Sequence, residues 1–126
     1  MLRAAALLAG GLLLAACSTD PRATRLDLLT AGGSALGECD GALSPPLRIR
    51  RDNSTMDFVD ASSGELRTII WPFGFAAWLE FGTGVLYASD GMVVGREGDV
   101  LDTIGGSVFA DGSGFRVCSI GVRTYQ

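Results

Sequence analysis

The densest group of acidic side chains in the chain consists of Glu97, Asp99 and Asp102, with Asp90 a few positions before them. Two carboxyl groups that converge in a pocket, one of them with a raised pKa, can act as general acid and base in a hydrolysis reaction. Carboxylates are also the ligands that calcium prefers. The spacing does not match an EF-hand loop, in which alternate positions are acidic up to a closing glutamate. We therefore predict no metal and no other cofactor, and keep a hydrolase built on Glu97, Asp99 and Asp102 as the enzymatic alternative.

Histidine is absent from the chain, and all 10 basic residues are arginines. Histidine is the commonest general base and metal ligand, and a serine nucleophile without it would need a lysine. Ser-His-Asp catalysis, Cys-His catalysis and histidine-based zinc sites are thus excluded. The 14 acidic residues give a formal net charge of −4 at pH 7, which argues against a nucleic-acid partner. Composition therefore favours a non-catalytic protein.

Three aromatic residues, Trp71, Phe73 and Phe75, alternate with Pro72 and Gly74. Proline holds the residue before it in an extended conformation, and glycine permits a sharp reversal of the chain. As an exposed loop, this run can stack on a sugar, a proline-containing peptide or an apolar ligand. As part of a core, Trp71 and Phe73 are anchors on either side of a strand break. The binding hypothesis requires Trp71 or Phe73 to be substantially exposed.

The N-terminal run Leu14-Ala15-Ala16-Cys17 follows Arg3 and an uncharged apolar stretch. A basic residue, an apolar stretch and small residues before a cleavage site are typical of a secretory signal peptide. The four residues resemble the lipobox of bacterial lipoproteins. The resemblance implies that residues 1–16 are removed and that Cys17 becomes the lipid-modified first residue. The alternatives are a transmembrane helix, for which the apolar run is short, and a signal peptide cleaved elsewhere.

The lipobox also implies a location outside the cytoplasm, with the protein held on a membrane through the lipid on Cys17. Ser18 stands where an aspartate would resemble an inner-membrane retention signal. This favours the outer membrane in a diderm organism, and the outer face of the cell membrane otherwise. If Cys17 carries lipid, Cys39 and Cys118 form an even pair in an oxidising compartment, which predicts a disulfide. Two free buried thiols are the alternative.

Turn-forming and glycine-rich residues over 17–38 predict a flexible tether, with a short helical turn near 22–30. From residue 39 to 126 the pattern is that of β-strands, since apolar and polar residues alternate and Asp-Gly pairs separate apolar runs. We count seven to nine short strands. Among them are 47–50, 56–60, the segment from Glu65 to Trp71, the two runs that flank Asp90-Gly91, and Val100 to Ile104, which Gly105-Gly106 would end. They predict one mostly β domain: a small, glycine-rich antiparallel barrel, partly open and OB-like, or a two-sheet sandwich.

These features together predict a lipid-anchored protein of the bacterial envelope. Its β domain would be a non-catalytic binding or structural module that presents the aromatic residues Trp71, Phe73 and Phe75. The expected partners are the membrane, through Cys17, and an envelope protein or a small ligand.

Overall fold

A computed structural model describes residues 24–32, 39–109, 111–112 and 114–125. The predicted signal peptide, the lipobox and Cys17 lie outside these residues. The strands of the described part, in chain order, are β1 (Thr24–Leu26), β2 (Ala42–Leu43), β3 (Leu47–Asp52), β4 (Thr55–Asp60), β5 (Leu66–Arg67), β6 (Ile69–Ile70), β7 (Ala76–Glu80), β8 (Thr83–Tyr87), β9 (Val93–Arg96), β10 (Val100–Leu101), β11 (Ile104–Val108), β12 (Phe115–Ile120) and β13 (Arg123–Thr124). No helix occurs among the described residues.

The strands form three small sheets. The first has the order β1-β7-β8-β9, the second β10-β3-β4-β5, and the third β13-β12-β11-β2, with β6 added in parallel to β12. The pairs along these orders are antiparallel. The prediction of a mostly β fold is therefore confirmed. In the described residues the sheets stay open, as in a small sandwich or an open barrel.

The β3–β4 hairpin shows how the sequence pattern becomes structure. Leu47 and Ile49 are buried, whereas Arg48 and Arg50 between them are exposed. This is the alternation expected of a strand with one face on the core. Asn53 in the turn has a φ of 55°, a left-handed conformation that asparagine tolerates better than most residues. All six residues of β3 pair with β4.

Two strands differ from the sequence prediction. The segment from Glu65 to Trp71, expected to be one strand, is interrupted at Thr68, because β5 pairs with β4 while β6 joins the third sheet. The pair Gly105-Gly106, expected to end a strand, lies within β11, which has a bulge between the two glycines. A Cβ atom on Gly106 would overlap the backbone of β12. These glycines therefore permit close approach of two strands rather than a turn.

A chain of aromatic rings runs through the core between the sheets. The ring centroids of Phe58 and Trp71 are 5.0 Å apart, those of Trp71 and Phe75 5.9 Å, and those of Phe75 and Tyr125 4.9 Å. Buried aliphatic residues surround these rings, among them Leu47 and Leu86. Offset and edge-on contacts of this kind add to the stabilisation that burial of the rings provides.

The structure corrects the prediction of a flexible tether for residues 24–32. Leu26 is 3% exposed and belongs to the core, and Ala31 is also buried. All three residues of β1 pair with β7. A single helical turn forms few hydrogen bonds relative to the number of residues that it orders. The extended segment instead forms hydrogen bonds along its length with neighbouring strands. The spacing of its apolar residues does not reveal those partners.

The same segment binds the other two sheets through its backbone. The Asp27 amide donates to the Ser54 carbonyl at 2.7 Å, and the Met56 amide donates to the Asp27 carbonyl at 3.0 Å, at the start of β4. The Trp71 amide, directly after β6, donates to the Leu29 carbonyl at 3.0 Å. Residues 24–31 thus connect all three sheets. We call them the N-terminal clasp.

Candidate functional site

The predicted aromatic loop is a tight turn. The Phe75 amide donates to the Pro72 carbonyl at 3.2 Å, and Gly74 has a φ of 86°. Type II turns require a positive φ at their third residue, which favours glycine there. A Cβ on Gly74 would also lie 2.9 Å from that of Ser89. The turn places Phe73 at its tip, with 60% of its surface exposed.

Two of the three aromatic candidates belong to the core instead. Trp71 is 0% exposed and Phe75 1%, because the residues on either side of the turn tip point back between the sheets. The Trp71 indole N–H has no acceptor within the described residues, so the ring contributes apolar area rather than a polar contact. Phe75 reaches the wall of a cleft of about 280 Å³ beside residues 25–30. Trp71 and Phe75 are therefore not surface ligand-binding residues, and Phe73 is the exposed member of the trio.

Three loops meet at the end of the molecule that carries Phe73. The Phe73 turn lies against Ser89 in the β8–β9 turn. The neighbouring Asp90 accepts a hydrogen bond from Arg123 Nη1 at 2.7 Å, which fixes the β12–β13 hairpin to the same turn. Met92 and Val122 on these loops are exposed. We call Phe73, Met92, Val122 and the Asp90–Arg123 ion pair the Phe73 surface.

The acidic stretch holds sheets together. Glu97 Oε1 accepts hydrogen bonds from the Gly84 amide and from Arg51 Nε, both at 2.9 Å. The Gly84 amide, and after it Arg51, lowers the pKa of the Glu97 carboxyl below its ordinary value. Gly84 is in β8 and Arg51 in β3, so the ionised carboxylate connects the first sheet to the second. A general acid would need the opposite shift of its pKa.

The other two acidic candidates do not converge with Glu97 on a pocket. Asp99 Oδ2 accepts from the Arg96 amide at 2.8 Å and closes the β9–β10 turn, while Asp102 is exposed after β10. Neither of two clefts in the described structure, of about 210 Å³ and 280 Å³, is lined by these acidic residues. Within the described ranges no group of three or more potential ligands could hold a metal ion. The lowered pKa of Glu97 and its two hydrogen bonds do not fit the general acid that the hydrolase alternative requires.

Cys39 and Cys118 form a disulfide, with their Cα atoms 6.1 Å apart. Cys118 is buried in β12, and Cys39 is exposed shortly before β2. The bond closes a loop over a sequence separation of 79 residues. It fastens the segment before β2 to the centre of the third sheet.

A second cleft, of about 210 Å³, lies between β5 and the β11–β12 hairpin. Its wall includes Arg67, which donates to the buried carboxylate of Asp60 at 3.2 Å. Asp60 also accepts from the Ser62 amide at 2.8 Å, and this bond is the main cause of its lowered pKa. Sequence reasoning missed this cluster, although aspartate two residues before a serine is a known turn signal.

Comparison with protein-family models, with curated proteins and with solved structures finds no match to this chain. No helix in the described ranges is long and apolar enough to cross a membrane.

Proposed function

We propose that the chain is a lipid-anchored extracytoplasmic protein of the bacterial envelope, and that its β domain is a non-catalytic module that binds another envelope protein through the Phe73 surface. The Leu14-Ala15-Ala16-Cys17 run supports the anchor. The Cys39–Cys118 disulfide supports an oxidising compartment. The exposure of Phe73 at the tip of a well-fixed turn is the observation that carries the binding role.

The proposed anchor lies a short stretch of chain before the first described strand. Residues 18–23 separate Cys17 from β1, and a chain of this length spans at most about 25 Å when fully extended. The N-terminal clasp then passes along all three sheets. A lipid on Cys17 would therefore hold the domain near the membrane surface, where its partners would be neighbouring envelope proteins.

Phe73 lies outside the core cluster to which Trp71 and Phe75 belong. Its neighbours Trp71 and Phe75 show that the core accepts large rings at this place, yet the turn directs Phe73 outward. Exposed aromatic residues in a rigid setting are the kind that dominate protein interfaces. Met92 and Val122 are exposed apolar side chains on the two adjoining loops, and the Asp90–Arg123 ion pair supplies polar groups there.

The anchor is tested by the intact mass of the protein extracted from membranes of the native organism. We expect a mass that begins at Cys17 and includes diacylglycerol and acyl chains, and we expect the Cys17→Ser variant to keep residues 1–16. An unlipidated mature wild-type protein would contradict the anchor.

The binding role is tested separately, by a photo-crosslinking phenylalanine analogue placed at position 73 in the native cell. Position 81 is the matched control, since Phe81 is 86% exposed and lies at the opposite end of the β7–β8 hairpin. We expect a discrete crosslinked protein from position 73 and none from position 81. Identical patterns from both positions, or no crosslink at position 73, would contradict the role of the Phe73 surface.

A further inference from the structure

One row of side chains crosses the whole first sheet on the face turned away from the core. Arg25 pairs with Trp78, Trp78 with Val85, and Val85 with Arg96. Directly paired residues of neighbouring strands lie on the same face. The adjacent row, Leu26-Ala77-Leu86, is buried in the core, so the Arg25 row must face outward.

Two further side chains lie across this row. Glu80 is two positions beyond Trp78 on β7, and Tyr87 is two positions beyond Val85 on β8, on the other side of the row. The Tyr87 hydroxyl donates to Glu80 Oε2. To reach Glu80, the tyrosine side chain must extend over Val85, which accounts for the burial of that valine outside the main core. Trp78 and Tyr87 thus form a fixed aromatic platform.

The two arginines at the ends of the row are not paired with a described carboxylate, unlike four other arginines of the described residues. Among the described residues, Arg50, Arg51, Arg67 and Arg123 each form an ion pair with a carboxylate. The Arg25 guanidinium instead lies 5.7 Å from the centre of the Trp78 ring, and no described carboxylate is within ion-pairing distance of Arg25 or Arg96. Both arginines are exposed.

We propose that Arg25, Trp78 and Arg96 of this row, together with Tyr87, bind a polysaccharide chain that carries carboxylate groups. Guanidinium groups pair with carboxylates through two parallel hydrogen bonds. Aromatic rings offer apolar faces on which a sugar ring can stack. Neighbouring strands are about 4.8 Å apart, so the backbones at Arg25 and Arg96 are separated by about 14 Å. An extended, flat ligand lying across the strands can therefore meet both cations and the platform between them.

The narrowness of the row favours such a chain over an anionic membrane. The net charge of −4 opposes the approach of the whole molecule to an anionic surface, and Glu80 lies on the same face as the arginines. A narrow ligand would contact only the side chains of the row. This site is separate from the Phe73 surface and requires no anchor, so it goes beyond the proposed function.

The test is binding of a galacturonate oligosaccharide by the purified full chain in detergent micelles, followed by calorimetry and tryptophan fluorescence. Trp78 is the reporter, because Trp71 is fully buried. We expect binding of the acidic oligosaccharide but not of its neutral methyl ester. Arg25→Gln and Arg96→Gln should each weaken binding about tenfold, as expected for the loss of one charge-assisted pair.

Arg50→Gln is the matched control. It removes the same charge from an exposed arginine of the second sheet and should leave the affinity unchanged. Melting curves show whether each variant is folded. Equal binding of the methyl ester, an equal loss in Arg50→Gln, or no binding by the folded wild-type protein would overturn the proposal. So would binding of phosphatidylglycerol vesicles through Arg25 and Arg96 in place of the oligosaccharide, since this would assign the row to a membrane.

Discussion

At the scale of single residues, Glu97 and Gly84 depend on each other. The Glu97 amide donates to the Gly84 carbonyl at 2.8 Å, and its side chain accepts from the Gly84 amide. A Cβ on Gly84 would lie 3.0 Å from Met56 Cε and 3.2 Å from Glu97 Oε1. One of the three acidic residues that the sequence suggested for catalysis therefore has a structural role, and the absence of a side chain at Gly84 leaves the space for it.

We expect Glu97→Gln to lower the free energy of unfolding by about 1 kcal/mol at pH 7, because the ion pair with Arg51 is partly exposed. The pKa of Glu97 is lowered from 4.5 in the folded protein. Its stabilising effect is thus complete above that pH and is lost as the pH falls through the lowered pKa. Urea titrations at pH 7 and pH 3 measure the difference from wild type, which should shrink at pH 3. Asp102→Asn, at an exposed position, should change stability by less than about 0.5 kcal/mol at either pH. A pH-independent loss in Glu97→Gln would show that the charge is unimportant.

At the scale of elements, the N-terminal clasp is the part of the fold that differs most from its prediction. Its first strand has three residues, too few for any periodicity to be distinguished from a helical turn. Its polar and glycine-rich neighbours resemble a linker. The clasp is ordered by partners from β4, β7 and the residue after β6, which the local sequence does not contain.

Leu26→Ala tests whether the clasp belongs to the fold. Leu26 is buried and Leu29, in the same segment, is 52% exposed. We expect Leu26→Ala to reduce the free energy of unfolding by about 2 to 5 kcal/mol and Leu29→Ala by less than about 0.5 kcal/mol, as measured by denaturant titration. Equally small effects of both substitutions would mean that the segment behaves as a tether after all.

Local signals allowed the hairpins to be predicted, but not the way in which they assemble. Alternation located β3 and β4, and Asp90-Gly91 marked the β8–β9 turn. The break at Thr68 follows from β5 and β6 joining different sheets, which is a tertiary effect. For the candidate site, the sequence identified the Phe73 turn but not which ring faces solvent. The Arg25 row was missed because its members come from four strands, and only the register aligns them.

At the scale of the whole molecule, three small sheets share one core and are joined by a small number of long-range connections. Main-chain bonds of the clasp, the Glu97 carboxylate and the Cys39–Cys118 disulfide each cross between segments far apart in the chain. A domain of this size buries a modest fraction of its surface and is marginally stable by itself. Such connections therefore contribute a large share of the net stability.

The double variant Cys39→Ser/Cys118→Ser should lose about 4 kcal/mol of unfolding free energy, because the unfolded chain regains the freedom of a long loop. The measurement is denaturant unfolding of the variant beside the wild-type protein with and without a reducing agent. Reduction of the wild-type protein should reproduce the loss and should leave the variant unchanged. An equal midpoint for all samples would remove the disulfide from the account of stability.

The N-terminal clasp also affects the order of folding and the risk of misassembly. Thr24 pairs with Leu79 and Leu26 with Ala77, so β1 makes contacts of high contact order, which form slowly. Until β1 arrives, β7 is an edge strand with unpaired backbone groups, and such edges recruit strands from other chains. We expect the domain to aggregate most readily in the interval before the clasp closes, and a chain without residues 24–31 to remain in that state.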